Sequence, residues 1–163
     1  MVNHSDIIPK EFLPTYNSNV IDSYLYRIPG LSDIFLYFND DVFLRSLLQP
    51  SDLLTNEHGL KLFVENLTIP MDKAQQTTFV DGVKDKAYWQ AFFGTIQLLQ
   101  KEFGKANIKP LRLLQHTSHA LHKEAIGRVH TLWGKEMQLA HRNKFRKDSD
   151  IIFLVSGILG KRN

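Results

Sequence analysis

Between residues 85 and 103 the large apolar side chains return every three or four positions: Tyr88, Phe92, Ile96, Leu99 and Phe103. That spacing winds one apolar stripe along an α-helix and suits no strand, where side chains alternate with a period of two. Gly104 stands where a helix C-terminus is most easily closed. A second stretch, from about 119 to 142, carries Leu121, Ile126, Val129, Leu132, Trp133, Met137 and Ala140 and predicts a second long helix, which the basic run His141–Lys147 ends. Two such stripes need a shared core. A chain of 163 residues that is 43% hydrophobic supplies one. The length suits one domain. The absence of cysteine excludes a disulfide scaffold, thiolate metal sites and a cysteine nucleophile.

Strand-like runs are fewer. Ile34-Phe35-Leu36-Tyr37-Phe38 is continuous, aromatic and short, which predicts a strand buried on both faces and therefore central. Leu60–Val64 is a second candidate, and Pro50-Ser51-Asp52 reads as a loop between them. Residues 1–17, with Pro9 and Pro14, read as an irregular entry. Ser18 then caps a short helix over about 19–28, and Pro29-Gly30 ends it. A few strands among long helices predict an α/β layered fold. They are too few for a complete doubly wound sheet, which predicts one domain over 1–163 that forms the central part of a larger catalytic domain. The longest apolar run, Ile151–Leu159, is interrupted by Ser156 and Gly157 and is far short of a membrane span of about 20 residues. The net charge of +3 is compatible with phosphates or anionic headgroups without calling for nucleic acid. A cytoplasmic protein is the expectation.

Four groups of residues can carry chemistry. Asp40 and Asp41 directly follow the apolar strand, where α/β sheets gather ligands. Paired carboxylates there can hold Mg²⁺ or Mn²⁺ on a diphosphate, or one can deprotonate an attacking hydroxyl. An Asx turn with solvated side chains is the plain alternative. His116, His119 and His122, three apart, would share a face if they stood on one helix, and two of them could bind a transition metal. His116, expected just before the helix, is better placed as a base, nucleophile or phosphate contact. Arg142, Lys144, Arg146 and Lys147 suit phosphate recognition, or equally a solvated helix end. Leu13-Pro14-Thr15-Tyr16-Asn17-Ser18 feeds a helix N-terminus, a place for anions or a simple cap.

Taken together these residues resemble the Stealth family of sugar-phosphate transferases. One block runs from His4-Ser5-Asp6 through Leu13–Ser18, Ile21-Asp22 and Arg27–Ser32 to Phe35–Phe43, with Asn39-Asp40-Asp41 inside it. A second begins at His116-Thr117-Ser118-His119 and closes on Lys144-Phe145-Arg146 and Asp150. His116 and Arg146, 30 residues apart, stand where the family pattern has a histidine at the block's start and an arginine near its end.

The resemblance implies transfer of a hexose-1-phosphate from a nucleotide-sugar to a sugar hydroxyl in capsular or exopolysaccharide synthesis. The fold implied is an incomplete nucleotide-sugar-transferase-like layer structure. Catalytic roles fall on Asp40, Asp41, His116 and Arg146, and substrate contacts on Asn17, Ser18, Arg27 and Asn39. Asp40 and Asp41 would hold the Mg²⁺ or Mn²⁺. The implied partners are the nucleotide-sugar donor, the saccharide acceptor and a second polypeptide supplying family regions not seen here, with a location at the inner membrane face. The aspartate-bearing block that opens the family pattern and the acidic block that closes it are not found. A non-catalytic remnant or subunit of a split transferase is therefore the second reading, and a histidine-based metal module the third.

Overall fold

The computed structural model describes residues 1–55, 59–105, 108 and 111–152. Helix α1 spans His4–Ile7, α2 Ser18–Ser23, α3 Pro50–Leu53, α4 Lys73–Asp81, α5 Lys86–Phe103, α6 Lys123–Leu132 and α7 Gly134–His141. Strands are β1 Ile34–Tyr37, β2 Leu54–Thr55, β3 Gly59–Leu60, β4 Val64–Thr68, β5 Arg112–Leu114 and β6 His119–His122. The fold is mixed α/β, and its described strands form three antiparallel pairs: β1–β6, β2–β3 and β4–β5.

Helix α5 lies where its spacing places it. Asp85 caps it by accepting the Tyr88 backbone N–H at 3.1 Å, and Gly104 leaves it at φ 81°, a conformation that glycine adopts without a Cβ penalty. Its stripe of Ala91, Phe92, Phe93, Ile96 and Leu99 packs on Val129, Trp133, Met137 and Ala140. Each large side chain removed from water there contributes roughly 1.5–3 kcal/mol before entropy is charged. Ile151 and Ile152 join this core, and the Ile152 backbone N–H donates to Thr95 Oγ1 at 2.9 Å in the middle of α5. Later residues of the 151–159 run lie outside the described residues.

The expected helix over 119–142 is three elements. His119-Ala120-Leu121-His122 is strand β6, paired with β1 in the register Ile34↔His122 to Tyr37↔His119. The helix begins only at Lys123 and breaks at Trp133, whose φ of −121° and ψ of 39° separate α6 from α7. The three histidines therefore share no helix face. His116 sits in a turn, and His119 and His122, an odd step apart on a strand, point to opposite sides. Among the described residues no group of three metal-capable side chains forms.

Strand β1 is real but neither central nor doubly buried. Phe35 and Tyr37 pack on Leu121, Ile126 and their neighbour Tyr26, whereas Ile34, Leu36 and Phe38 face outward and are exposed. Apolar character on both faces thus marks one covered and one uncovered side. Smaller differences follow local chemistry. Asn17, not Ser18, caps α2 by accepting the Asn19 N–H at 3.1 Å, and α2 stops at Ser23 before a 3-10 turn over Leu25–Arg27. The entry holds α1 and a 3-10 turn at Lys10–Phe12, and Pro50-Ser51-Asp52 opens α3. The strand expected over Leu60–Val64 is split, with β3 ending at Leu60 and β4 beginning at Val64.

Candidate active site

Two antiparallel strands and the turns at their shared end build one half of the site. Strand β1 delivers Tyr37 and, just past its end, Asn39, Asp40 and Asp41. The turn between β5 and β6 delivers His116. That turn is held at Gln115, whose N–H donates to the Phe63 carbonyl at 2.9 Å and whose carbonyl accepts the Thr117 N–H at 3.0 Å. Buried His119 also donates its Nε2–H to the Gln115 carbonyl at 2.9 Å.

His116 Nε2 lies 2.9 and 3.0 Å from the two carboxylate oxygens of Asp41. The Asn39 amide donates to His116 Nδ1 at 3.4 Å, and Asn39 Oδ1 in turn accepts the Tyr37 hydroxyl at 2.8 Å. These partners fix a tautomer. Nε2 carries the proton toward Asp41, and Nδ1 offers its lone pair. The hydrogen bond from His116 holds the exposed Asp41 carboxyl below its ordinary range.

The other half is the loop after α7. Arg146 donates Nε and Nη2 to Ser18 Oγ at 3.1 and 2.8 Å. Beneath it Asn17 is wholly buried, and its amide reaches the Asp150 carboxylate at 2.8 Å and the carbonyls of Asn143 and Phe145 at 3.3 Å. Asp150, 3% exposed, also accepts from Asn19, Asn143 and the Lys147 backbone N–H. Four donors converging on one carboxylate fix the path of the loop that presents Arg146.

Asp22 joins the two halves. It stands one helical turn beyond Ser18 on α2, hence on the same face. Burial pushes its carboxyl up to about 6, while the Tyr37 hydroxyl, whose one proton is shared with Asn39 Oδ1, and the charge of Arg146 pull it back. Burial and the Asp22 carboxylate together push the Tyr37 phenol up. Tyr88 is also raised by burial and opposed by Arg146, which places α5's first turn within the field of the same guanidinium.

The expected residues thus fall into distinct places. Asn39, Asp41 and His116 are joined by hydrogen bonds, and Asp40 is exposed beside them. Ser18 and Arg146 form the second pair. Asn17 lies below them in the interior. Arg27 stacks over the Tyr24 ring at 5.9 Å, and Tyr24 packs against His130 and His141. Asp22 and Tyr37 carried no expected role. The available sign was an acidic side chain four positions after Ser18 on a helix with little solvent-facing surface.

Residues 1–62 match Stealth protein CR2, conserved region 2. The chain is 33% identical over 151 residues to a capsular polysaccharide phosphotransferase of Neisseria meningitidis serogroup B, covering 93% of this chain and 38% of that protein. It is 32% identical over 153 residues to one from Actinobacillus pleuropneumoniae, covering 94% of this chain and 39% of the relative. With one from Streptococcus pneumoniae it is 32% identical over 165 residues, covering 93% and 50%. The chain spans about two fifths of the length of the first two relatives and half of the third.

Proposed function

Since this chain belongs to the Stealth family, we propose that it carries phosphoryl-transfer machinery which moves a hexose-1-phosphate from a nucleotide-sugar to a saccharide hydroxyl in capsular or exopolysaccharide synthesis. The observation that carries this reading is the pairing of His116 with Asp41 at 2.9 Å, together with an arginine, Arg146, held at Ser18 at 2.8 Å. Phosphoryl transfer asks for positioning and charge neutralisation more than covalent chemistry, and this site has both parts.

Each group has a role. Asp41 holds the His116 ring through Nε2–H, and the attacking hydroxyl takes the place of the Asn39 amide at Nδ1, which then accepts its proton. The hydroxyl oxygen forms the new bond to phosphorus, the bond from that phosphorus to the nucleotide's phosphate oxygen breaks, and the nucleoside monophosphate departs. Arg146, a planar fork of donors, neutralises charge on the transferred phosphate. Asp22 and Tyr37 set the field in which Arg146 works. The carboxylates of Asp40 and Asp41 are hard oxygen donors of the kind Mg²⁺ or Mn²⁺ prefers; Asp40 would hold such an ion, joined by whichever Asp41 oxygen His116 leaves free. Such an ion supplies charge neutralisation on the diphosphate. The whole site belongs to one part of a larger catalytic domain, and a second segment or polypeptide supplies the remaining family regions.

The test is incubation of a UDP-sugar and an oligosaccharide acceptor with the chain, alone and together with those regions. UMP release and a phosphodiester-linked product are expected. Release of UDP would overturn the reading, because it marks attack on the anomeric carbon. Donor binding without turnover in every assembly would favour the non-catalytic remnant.

A further inference from the structure

Tyr16 and Phe145 each precede a polar residue or cation of the site by one or two positions, yet neither ring takes part in it. Their rings stack with centroids 5.4 Å apart and planes 15° from parallel, and they remain 68% and 65% exposed. Such rings are expensive to leave in water unless something covers them. Their backbones are fixed. The Tyr16 N–H donates to the Lys144 carbonyl at 2.8 Å, and the Phe145 carbonyl accepts from buried Asn17. The pair is therefore a rigid platform joined to the loop that carries Arg146.

Tyr16, though not Phe145, also lines an open groove of about 720 Å³ with polar walls at Asn3, His4 and Ser5 and apolar ones at Val2, Leu13 and Pro14. Amide, imidazole and hydroxyl groups beside an exposed ring match the chemistry of a pyranose, which has an apolar C–H face and a rim of hydroxyls. A groove open to solvent also admits a chain with several units, where a nucleobase needs only a closed slot. We propose that the Tyr16–Phe145 platform and this groove form the subsite that seats the acceptor saccharide beside Arg146. The proposal rests on the phosphotransfer reading above, and it adds the residues that choose the acceptor.

The test is a binding measurement that needs no turnover. Aromatic NMR spectra of the chain are recorded with a panel of hexose oligosaccharides, neutral and phosphodiester-linked, of four to eight units, and separately with UMP. At least one oligosaccharide is expected to shift the Tyr16 and Phe145 ring signals. Tyr16→Leu and Phe145→Leu are each expected to weaken that binding by roughly tenfold, the size of a lost aromatic contact. Both positions are exposed, so unchanged urea midpoints would show that folding is intact. Unshifted rings with the whole panel would overturn the proposal, as would rings shifted by UMP and not by saccharide. Saccharide-induced shifts in a preparation that releases no UMP would retain the platform and count against the transfer reaction alone. UMP release with unshifted rings would do the reverse.

Discussion

Asn17 and Asp150, 133 residues apart, share a 2.8 Å hydrogen bond in the interior beneath Arg146. The bond ties the cap of α2 to the loop after α7, and Asn143 and Lys147 close on the same carboxylate.

Asp150→Ala removes the acceptor for all of these donors at once. The unpaired buried groups should lower stability by about 3 kcal/mol, the scale of a lost charged hydrogen-bond network. Urea denaturation checks it. A midpoint within error of the unmodified protein would show that the loop is held by something else.

Acid should unfold the protein early. Burial lowers His141 to about 4 and lowers His130 as well; the charge of His130 adds to the effect on His141, and that of Arg27 to the effect on His130. His141 accepts the Tyr24 hydroxyl at 2.9 Å and lies 3.1 Å from Ser23 Oγ, so its neutral form is built into the packing. In the unfolded chain it titrates near 6.5, so between about 6.5 and 4 the unfolded state binds more protons and stability falls with pH, by on the order of 2 kcal/mol. Asp22 runs the other way. Its raised carboxyl binds more protons folded than unfolded between 3.8 and about 6, which offsets part of the loss as pH falls. His141→Gln should give a shallower stability slope between pH 6.5 and 4 than the unmodified protein, read by urea midpoints at each pH. An unchanged slope would exclude His141 as its source.

The Asp22 carboxyl offers a direct titration. Carbonyl NMR should place its midpoint at about 6. Tyr37→Phe removes a hydrogen bond that lowers it, and Arg146→Gln removes a charge that lowers it, so each should move the midpoint upward, by up to about one unit. A downward movement in either variant would contradict the contact described.

Arg146 should be irreplaceable where its neighbours are not. In a transferase-competent preparation, Arg146→Lys is expected to lose roughly 30- to 1000-fold in rate, equivalent to about 2–4 kcal/mol of transition-state stabilisation. Lys cannot reproduce the forked contact that Arg146 makes with Ser18 and that phosphate demands. Arg142→Lys and Lys147→Ala should stay near the unmodified rate. Equal rates for Arg146→Lys and the unmodified protein would remove Arg146 from the chemistry.

The parts of this fold that could be read from the chain are those governed by local spacing. Helix α5 is visible because its stripe and its glycine end lie within one stretch. Helix α4 is not, since Lys73–Asp81 carries almost no stripe and its one sign is the Asp72 cap, which accepts the Ala74 N–H at 2.9 Å. The His119–His122 tetrapeptide looks helical in isolation and becomes a strand because β1, more than 80 positions earlier, supplies its hydrogen-bond partners. Adjacency in sequence singles out Asp40 and Asp41. The family pattern brings in His116 and Arg146. Asp22 stands inside the first block of that pattern but neither sign gives it a role, because its elevated carboxyl comes from burial by residues distant in sequence.

Helix α2 is only six residues long, yet it acts as a spacing standard. Ser18 and Asp22 are one turn apart, so the anchor of Arg146 and the partner of Tyr37 are separated by about 6 Å of helical rise and share one phase. A residue inserted or deleted between them would turn one of the two through about 100° while leaving every strand and the large core untouched. The distance between the arginine half and the histidine half is therefore written in the reading frame of four residues. Variation in the length of that segment should be far less tolerated than variation in the sequence around it.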